Sequence, residues 1–132
     1  MPFEEIRHTA DWSIRVRSPD LPTLFIEAAY GMNAISGITL SNSPRVVHGF
    51  DVDLTDPETL LVSFLSELVF YAEYEKTGFD QFNVHLNGDH LHIDMTGAPI
   101  QTMTKSIKAV TYHNLKILAT QDGFEADIVF DV

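Results

Sequence analysis

The sequence has 132 residues, of which 45% are apolar and none is cysteine, and its 8 basic and 19 acidic residues give a formal net charge of −11. This length fits one domain spanning residues 1–132, and the lack of cysteine excludes disulfides and thiolate chemistry. The negative charge disfavours stable binding to nucleic acid, because phosphate backbones are also negative. The longest apolar stretch, residues 60–72, is too short to span a bilayer, and "MPFEEIRH" lacks the apolar region of a signal peptide. We therefore expect a cytoplasmic protein that does not associate with membranes.

The first part of the chain predicts two strands followed by a helix. "EEIRH" is typical of a short strand, and "WSIRVRS" alternates apolar and polar residues with the period of a strand. "SPDLPTLFIEAAYGMNAISG" then places apolar residues at helical spacings along one face. Ser18 or Asp20 can cap the start of this helix, and Gly37 can end it.

The middle of the chain predicts a strand, a second helix and a hairpin. "VVHGFDVDL" has strand periodicity, and "TDPE" is a capping-box pattern with Thr55 as the N-cap and Glu58 three residues on. The helix that it opens is predicted to end at Gly78. "FNVHL" and "HLHIDMTG" flank "NGD", which favours a hairpin.

The last part predicts a loop over residues 96–106 and then a second hairpin, "IKAVTYHNLKIL" and "FEADIVFDV" around "QDG". These elements favour an α+β fold. The simplest packing has two layers, with both helices on one face of a mainly antiparallel mixed sheet. The helical residues predicted to be buried are Leu24, Phe25, Leu61, Phe64, Leu65 and Leu68.

Two acidic residues are candidates for a cation site. Asp11 in "HTAD" can simply form a turn by bonding a nearby backbone N–H, and Asp131 can be a solvated acid near a strand end. If the last strand is central in the sheet, however, Asp131 needs a partner, and a bound cation is one. Hard cations such as Ca²⁺ or Mg²⁺ take oxygen ligands. Val132 would supply a carbonyl and, at a chain terminus, a free carboxylate.

The two histidines of "HLH" are candidates for a second metal site. His90 and His92 lie on one face of a predicted strand, a spacing that transition-metal sites use. A solvated surface pair is the alternative, because no cysteine or third histidine is close in the sequence.

Five segments resemble the archease family: "HTAD", "DLPTLFIEAAYGM", "LLVSFLSELVFYAEYE", "IKAVTYHNLKI" and "VFDV". The resemblance covers nearly the whole chain and implies a single archease-like domain. It also implies a cytosolic accessory protein, not an enzyme, that assists an RtcB-type RNA ligase in tRNA splicing and RNA repair. Such proteins promote guanylylation of the ligase and its multiple turnover. They carry a divalent cation, often assigned as Ca²⁺, and the family pattern maps its ligands onto Asp11, Asp131 and Val132. Mg²⁺ and Mn²⁺ suit the same oxygen donors.

The sequence departs from the family pattern in three places. Trp12 stands where the family usually has isoleucine. The segment Gln101–Ser106, "QTMTKS", replaces the family's histidine and lysine, with Lys105 one place along from the usual lysine. Asp127 stands where the last strand usually has a basic residue, on the same face as Asp131. If these positions contact the ligase or its nucleotide, activation would be weaker or the partner's charges would differ.

Two other functions are open. A metal-dependent hydrolase could use Asp11, Asp131, His8 and His113, but it would need an open metal position and a general base beside a bound water. A general protein chaperone would need an exposed apolar patch. The oligomeric state is open as well.

Overall fold

The computed structural model describes residues 2–7, 12–53, 56–87 and 90–132, and these ranges contain nine strands and two helices. In chain order they are β1 (Phe3–Arg7), β2 (Trp12–Ser18), α1 (Leu21–Ser36), β3 (Thr39–Leu40), β4 (Val46–Asp53), α2 (Pro57–Tyr74), β5 (Thr77–Asn87), β6 (His90–Thr102), β7 (Ala109–Val110), β8 (Leu118–Thr120) and β9 (Gly123–Asp131).

The strands form two sheets, and every pairing among the described residues is antiparallel. The first sheet has the order β1-β2-β9-β7, with β8 also paired to β9; in the second, β6 pairs with β3, β4 and β5. Helix α1 contacts β1, β2 and β9 of the first sheet and β5 of the second, and α2 contacts β5 and β7. The predicted α+β fold with two helices against mainly antiparallel strands is confirmed. The prediction treated the strands as one sheet, whereas β9 and β6 each organise a sheet of their own.

Helix α1 has the ends that its sequence predicts. The side chain of Asp20 accepts a hydrogen bond from Thr23 N at 2.8 Å, which satisfies one of the free N–H groups of the first turn. Gly37 follows the helix with φ 65° and ψ 35°, and its N–H donates to Ala34 O. This left-handed conformation is the one in which glycine costs least.

Helix α2 differs from its prediction at both ends. The observed N-cap is Asp56, whose side chain accepts from Thr59 N at 2.7 Å; the predicted cap, Thr55, lies outside the described residues. The helix ends at Tyr74, before the predicted Gly78, because Lys76 adopts a positive φ of 51° and turns the chain into β5. Neither described helix combines the length and hydropathy that crossing a bilayer requires.

The predicted loop over residues 96–106 is wrong in its first half, because β6 continues through Thr102. The end of β6 pairs with a strand on each side: Pro99 lies opposite Thr77 in β5, and Thr102 lies opposite Thr39 in β3. Pro99 lacks an N–H, but its carbonyl accepts from Ser41 N at 2.8 Å. Neighbouring strands therefore override a local composition that favours a loop.

The helices supply much of the core. All six helical residues predicted to be buried are buried, and five of them have no exposed surface: Leu24, Phe25, Leu61, Phe64 and Leu65. Phe64 stacks on Phe25 with ring centroids 6.3 Å apart and meets Phe82 of β5 edge-on at 5.6 Å. Ile14, Val16, Ile128 and Phe130 of the first sheet and Leu91, Ile93 and Met95 of the second belong to the same cluster. This shared core fixes the position of both sheets.

Candidate site at the end of the first sheet

The last strand lies in the middle of the first sheet. Strand β9 pairs with β2 on one side and with β7 and β8 on the other. At its end, Asp131 is opposite Ala109 of β7, and the main-chain oxygen of Asp131 accepts from Lys108 N at 2.8 Å. The side chain of Asp131 is exposed, whereas Val132 is partly buried against the core. The backbone of this strand end is thus fixed while the carboxylate stays accessible.

The β2–β9 ladder brings two distant parts of the sequence side by side. Trp12 pairs with Phe130, the residue before Asp131. Asp11 precedes Trp12 in the sequence but lies outside the described residues, so its distance from Asp131 is not tested. Within the described ranges, no group of three or more histidine or acidic residues is arranged to hold a metal ion. The ligand set of Asp11, Asp131 and Val132 therefore stays a prediction.

Two of the three departures from the family pattern contact each other. The ammonium nitrogen of Lys105 lies 5.4 Å from the centroid of the Trp12 ring, within the range of a cation–π interaction. The backbone N–H groups of Thr104 and Lys105 both donate to Ser36 O, at 2.9 and 3.0 Å. The end of α1 thus holds the segment that carries Lys105, and a positive charge lies at the start of β2, beside the end of β9.

The third departure, Asp127, is paired with a cation. Arg15 of β2 lies opposite Asp127 in the ladder, and its guanidinium donates two hydrogen bonds to that carboxylate, at 2.8 and 3.1 Å. These contacts raise the pKa of Arg15, first through the hydrogen bond and then through the charge of Asp127. The negative charge of Asp127 is therefore partly offset by Arg15, which also lies 3.8 Å from Glu4 and 3.9 Å from Glu125.

A network on the second sheet was not predicted. His90 is bonded to Asp53 at 2.7 Å and Asp51 at 3.0 Å, and His92 to Asp51 at 2.8 Å and Asp94 at 2.9 Å. Asp53 and then Asp51 raise the pKa of His90, Asp51 and then Asp94 raise that of His92, and the two histidines lower the pKa of Asp51. A histidine must be in its neutral form to bind a metal ion. Carboxylates bond both nitrogens of each ring, and within the described residues the pair belongs to no group that is placed to hold a metal ion.

The histidines of the hydrolase alternative are only partly described. His113 is exposed, and its Nε2 lies 3.3 Å from Asn114 Nδ2. His8 lies outside the described residues.

Two antiparallel sheets that share one core with two helices define an α+β fold with close structural relatives. The crystal structure of an archease from Thermotoga maritima, described as a possible chaperone, matches with a TM-score of 0.73 and 22% identity over 98% of this chain and 96% of that chain. The solution structure of protein 1598 from Methanobacterium thermoautotrophicum matches with a TM-score of 0.72 and 22% identity, over 99% of both chains. At such identities the likeness concerns the fold alone.

Sequence comparison assigns the family. The model of the Archease protein family matches residues 3–132. Protein archease of Methanosarcina barkeri is 30% identical over 142 residues, covering 98% of this chain and 95% of that protein. Protein archease of Thermococcus gammatolerans is 29% identical over 129 residues, covering 92% of this chain and 91% of that protein. The chain belongs to the archease family, which confirms the resemblance of its five segments.

Proposed function

We propose that this protein activates an RtcB-type RNA ligase in tRNA splicing and RNA repair. It promotes guanylylation of the ligase's active-site histidine and lets the ligase turn over repeatedly. It acts in the cytoplasm and joins no RNA itself. The observation that carries the proposal is the family match over residues 3–132. The net charge of −11 also favours a role at the protein partner rather than on the RNA.

The proposed site lies at the end of β9. Asp131, the main chain of Val132 and Asp11 would hold one divalent cation, Ca²⁺ in the first instance. This proposal is supported by the exposed carboxylate of Asp131 at the end of β9. Oxygen donors of this kind suit hard cations. The bound ion would neutralise the carboxylates and order the strand ends at the surface that meets the ligase.

The departures are compatible with this role. Lys105 supplies a cation near the start of β2, one position along from the family's lysine, and Trp12 holds it there. The carboxylate of Asp127 accepts two hydrogen bonds from the guanidinium of Arg15. The charges around the end of β9 therefore differ less from the family pattern than the sequence suggests.

A multiple-turnover ligation assay tests the proposal. An RtcB-type ligase, GTP and cleaved tRNA halves are incubated with substoichiometric amounts of this protein. We expect product in excess of the ligase, and more labelled guanylate on the ligase when the protein is present. The protein without ligase should join no RNA. Ligation that stays the same at every ratio would refute the proposed function.

A paired set of variants tests the site. Asp131→Asn should weaken Ca²⁺ binding, measured by calorimetry, and reduce activation of the ligase, because the exposed carboxylate is removed. Asp122→Asn changes another exposed acid, before β9, and should leave both unchanged. If both variants bind Ca²⁺ as the wild type does, the metal site is not at Asp131.

A further inference from the structure

Helix α2 presents aromatic side chains to solvent near its end. Phe70 is 46% exposed and Tyr74 is 73% exposed. Their ring centroids are 5.2 Å apart, as expected for residues four apart on one helix face. With Tyr71 these residues form what we call the α2 aromatic surface. Contiguous exposed apolar patches mark interaction sites.

Tyr71 fixes this surface to the body of the protein. Its hydroxyl lies 2.9 Å from the imidazole nitrogens of His48 in β4, and its ring meets Phe79 of β5 edge-on at 5.4 Å. Phe70 in turn packs edge-on against Tyr71 at 5.6 Å. The exposed rings are therefore held in place before any partner binds, which lowers the entropy cost of binding.

Two acidic residues, Glu67 and Glu75, lie beside Tyr71 at this surface. Glu67 Oε2 lies 3.7 Å from His48 Nε2. Glu67 and Glu75 are each four positions from Tyr71, and Glu75 N donates to Tyr71 O at 3.0 Å, so both acids follow the same side of the chain as Tyr71. Burial first and then the charges of these two acids raise the pKa of Tyr71. The ammonium group of Lys76 donates to the backbone oxygen of Glu73, in the last turn of α2, at 2.8 Å.

We infer that the α2 aromatic surface, with Glu67 and Glu75, docks an arginine-rich segment of a protein partner. Guanidinium groups stack on aromatic faces and pair with carboxylates through the same planar fork. The net charge of −11 steers such a cationic segment towards this protein. A second copy would bring like charges together, and RNA would be repelled. The inference does not rest on the proposed function, because it holds for any partner that carries such a segment.

Fluorescence anisotropy with labelled nona-arginine tests the inference at about 150 mM salt, where long-range attraction is screened. The double variant Phe70→Ser with Tyr74→Ser should bind about tenfold more weakly, as expected for two lost cation–π contacts. Tyr74→Phe keeps the ring and should bind as the wild type does. Tyr112→Ser removes another aromatic residue, which is 57% exposed, and should leave the affinity for nona-arginine unchanged.

Three results would overturn the inference. The double variant could bind nona-arginine as tightly as the wild type. Tyr112→Ser could weaken binding equally, which would show that any exposed aromatic ring contributes and that the α2 aromatic surface is not a specific site. Sedimentation could also reveal a dimer that the double variant dissociates, in which case a second copy covers the surface. Circular dichroism of each variant checks that the fold is retained, and Tyr74→Phe tests the ring without removing it.

Discussion

Replacing Gly37 with alanine should destabilise the protein by disturbing the contact between α1 and the segment after β6. A Cβ at Gly37 would overlap Thr104 Oγ1 and lie 3.1 Å from Thr104 Cβ. Thr104 cannot move away freely, because its N–H, its hydroxyl and the N–H of Lys105 all donate to Ser36 O. The new methyl group therefore competes with three hydrogen bonds.

The expected cost has two parts. A non-glycine residue at the left-handed φ of 65° costs roughly 1–2 kcal/mol. Displacing Thr104 weakens hydrogen bonds to Ser36 that are each worth about 1 kcal/mol. We therefore expect Gly37→Ala to lower the free energy of unfolding by about 2–4 kcal/mol.

A double-mutant cycle separates the two parts. Urea unfolding followed by far-UV circular dichroism gives the free energy for the wild type, Gly37→Ala, Thr104→Ala and the double variant. Thr104→Ala removes the overlapping hydroxyl and methyl groups, so Gly37→Ala should cost less in that background by about 1–2 kcal/mol. Additive losses, within about 0.5 kcal/mol, would refute the steric explanation.

Three further predictions follow from buried and charged contacts. Phe64→Ala should lower the free energy of unfolding in urea by about 3–5 kcal/mol, because it opens a cavity at a fully buried position; a loss below about 1 kcal/mol would contradict the packing. His92→Gln should flatten the pH dependence of that free energy near neutral pH. Because the pKa of His92 is raised, its pairing with Asp51 stabilises the fold fully below the unfolded pKa of about 6.5, and this is lost as the pH rises through the folded pKa. Because the pKa of Asp51 is lowered, the stability that its ionised carboxylate contributes is lost on the acid side, as the pH falls through its pKa in the folded state. Identical pH profiles of the unfolding free energy for His92→Gln and the wild type would contradict this prediction. Lys105→Met should change the fluorescence of Trp12, the sole tryptophan, and an unaltered spectrum would show that the ring and the ammonium do not meet in solution.

Helix α1 shows what is predictable from sequence. Its apolar spacing, its N-cap at Asp20 and its end at Gly37 all depend on residues within the helix or beside it. Such local signals need no knowledge of the partner strands. The buried face followed from the same periodicity.

Strand β6 and the end of α2 show where local signals fail. The stretch from residue 96 onwards favours a loop by composition, yet pairing with β3 and β5 extends the strand to Thr102. Helix α2 ends before Gly78 because a lysine, Lys76, takes the left-handed conformation. Both outcomes depend on tertiary contacts or on an uncommon backbone choice that residue type does not reveal.

The candidate site was predictable only in part. The family pattern predicts Asp131 as a metal ligand, and this stays a prediction, whereas the pairing of Arg15 with Asp127 joins residues 112 positions apart. The contact of Lys105 with Trp12 likewise depends on a tertiary contact, because the end of α1 holds the Lys105 segment through Ser36 O. Without these tertiary contacts the sequence could not show that two departures from the family pattern meet and that the third pairs with Arg15.

The central place of β9 also constrains how the protein is made. Among the described elements it comes last in the chain, yet it separates β2 from β7 and β8. On the ribosome, the first sheet therefore has a gap along its middle until residues 123–131 emerge, and β2 exposes an unpaired edge. Pairing between such distant parts of a sequence slows folding, and an unpaired strand edge is prone to aggregation while it lasts. A translation product that stops before β9 cannot form the end of the first sheet, so only chains that include this strand can present the proposed ligase-binding surface.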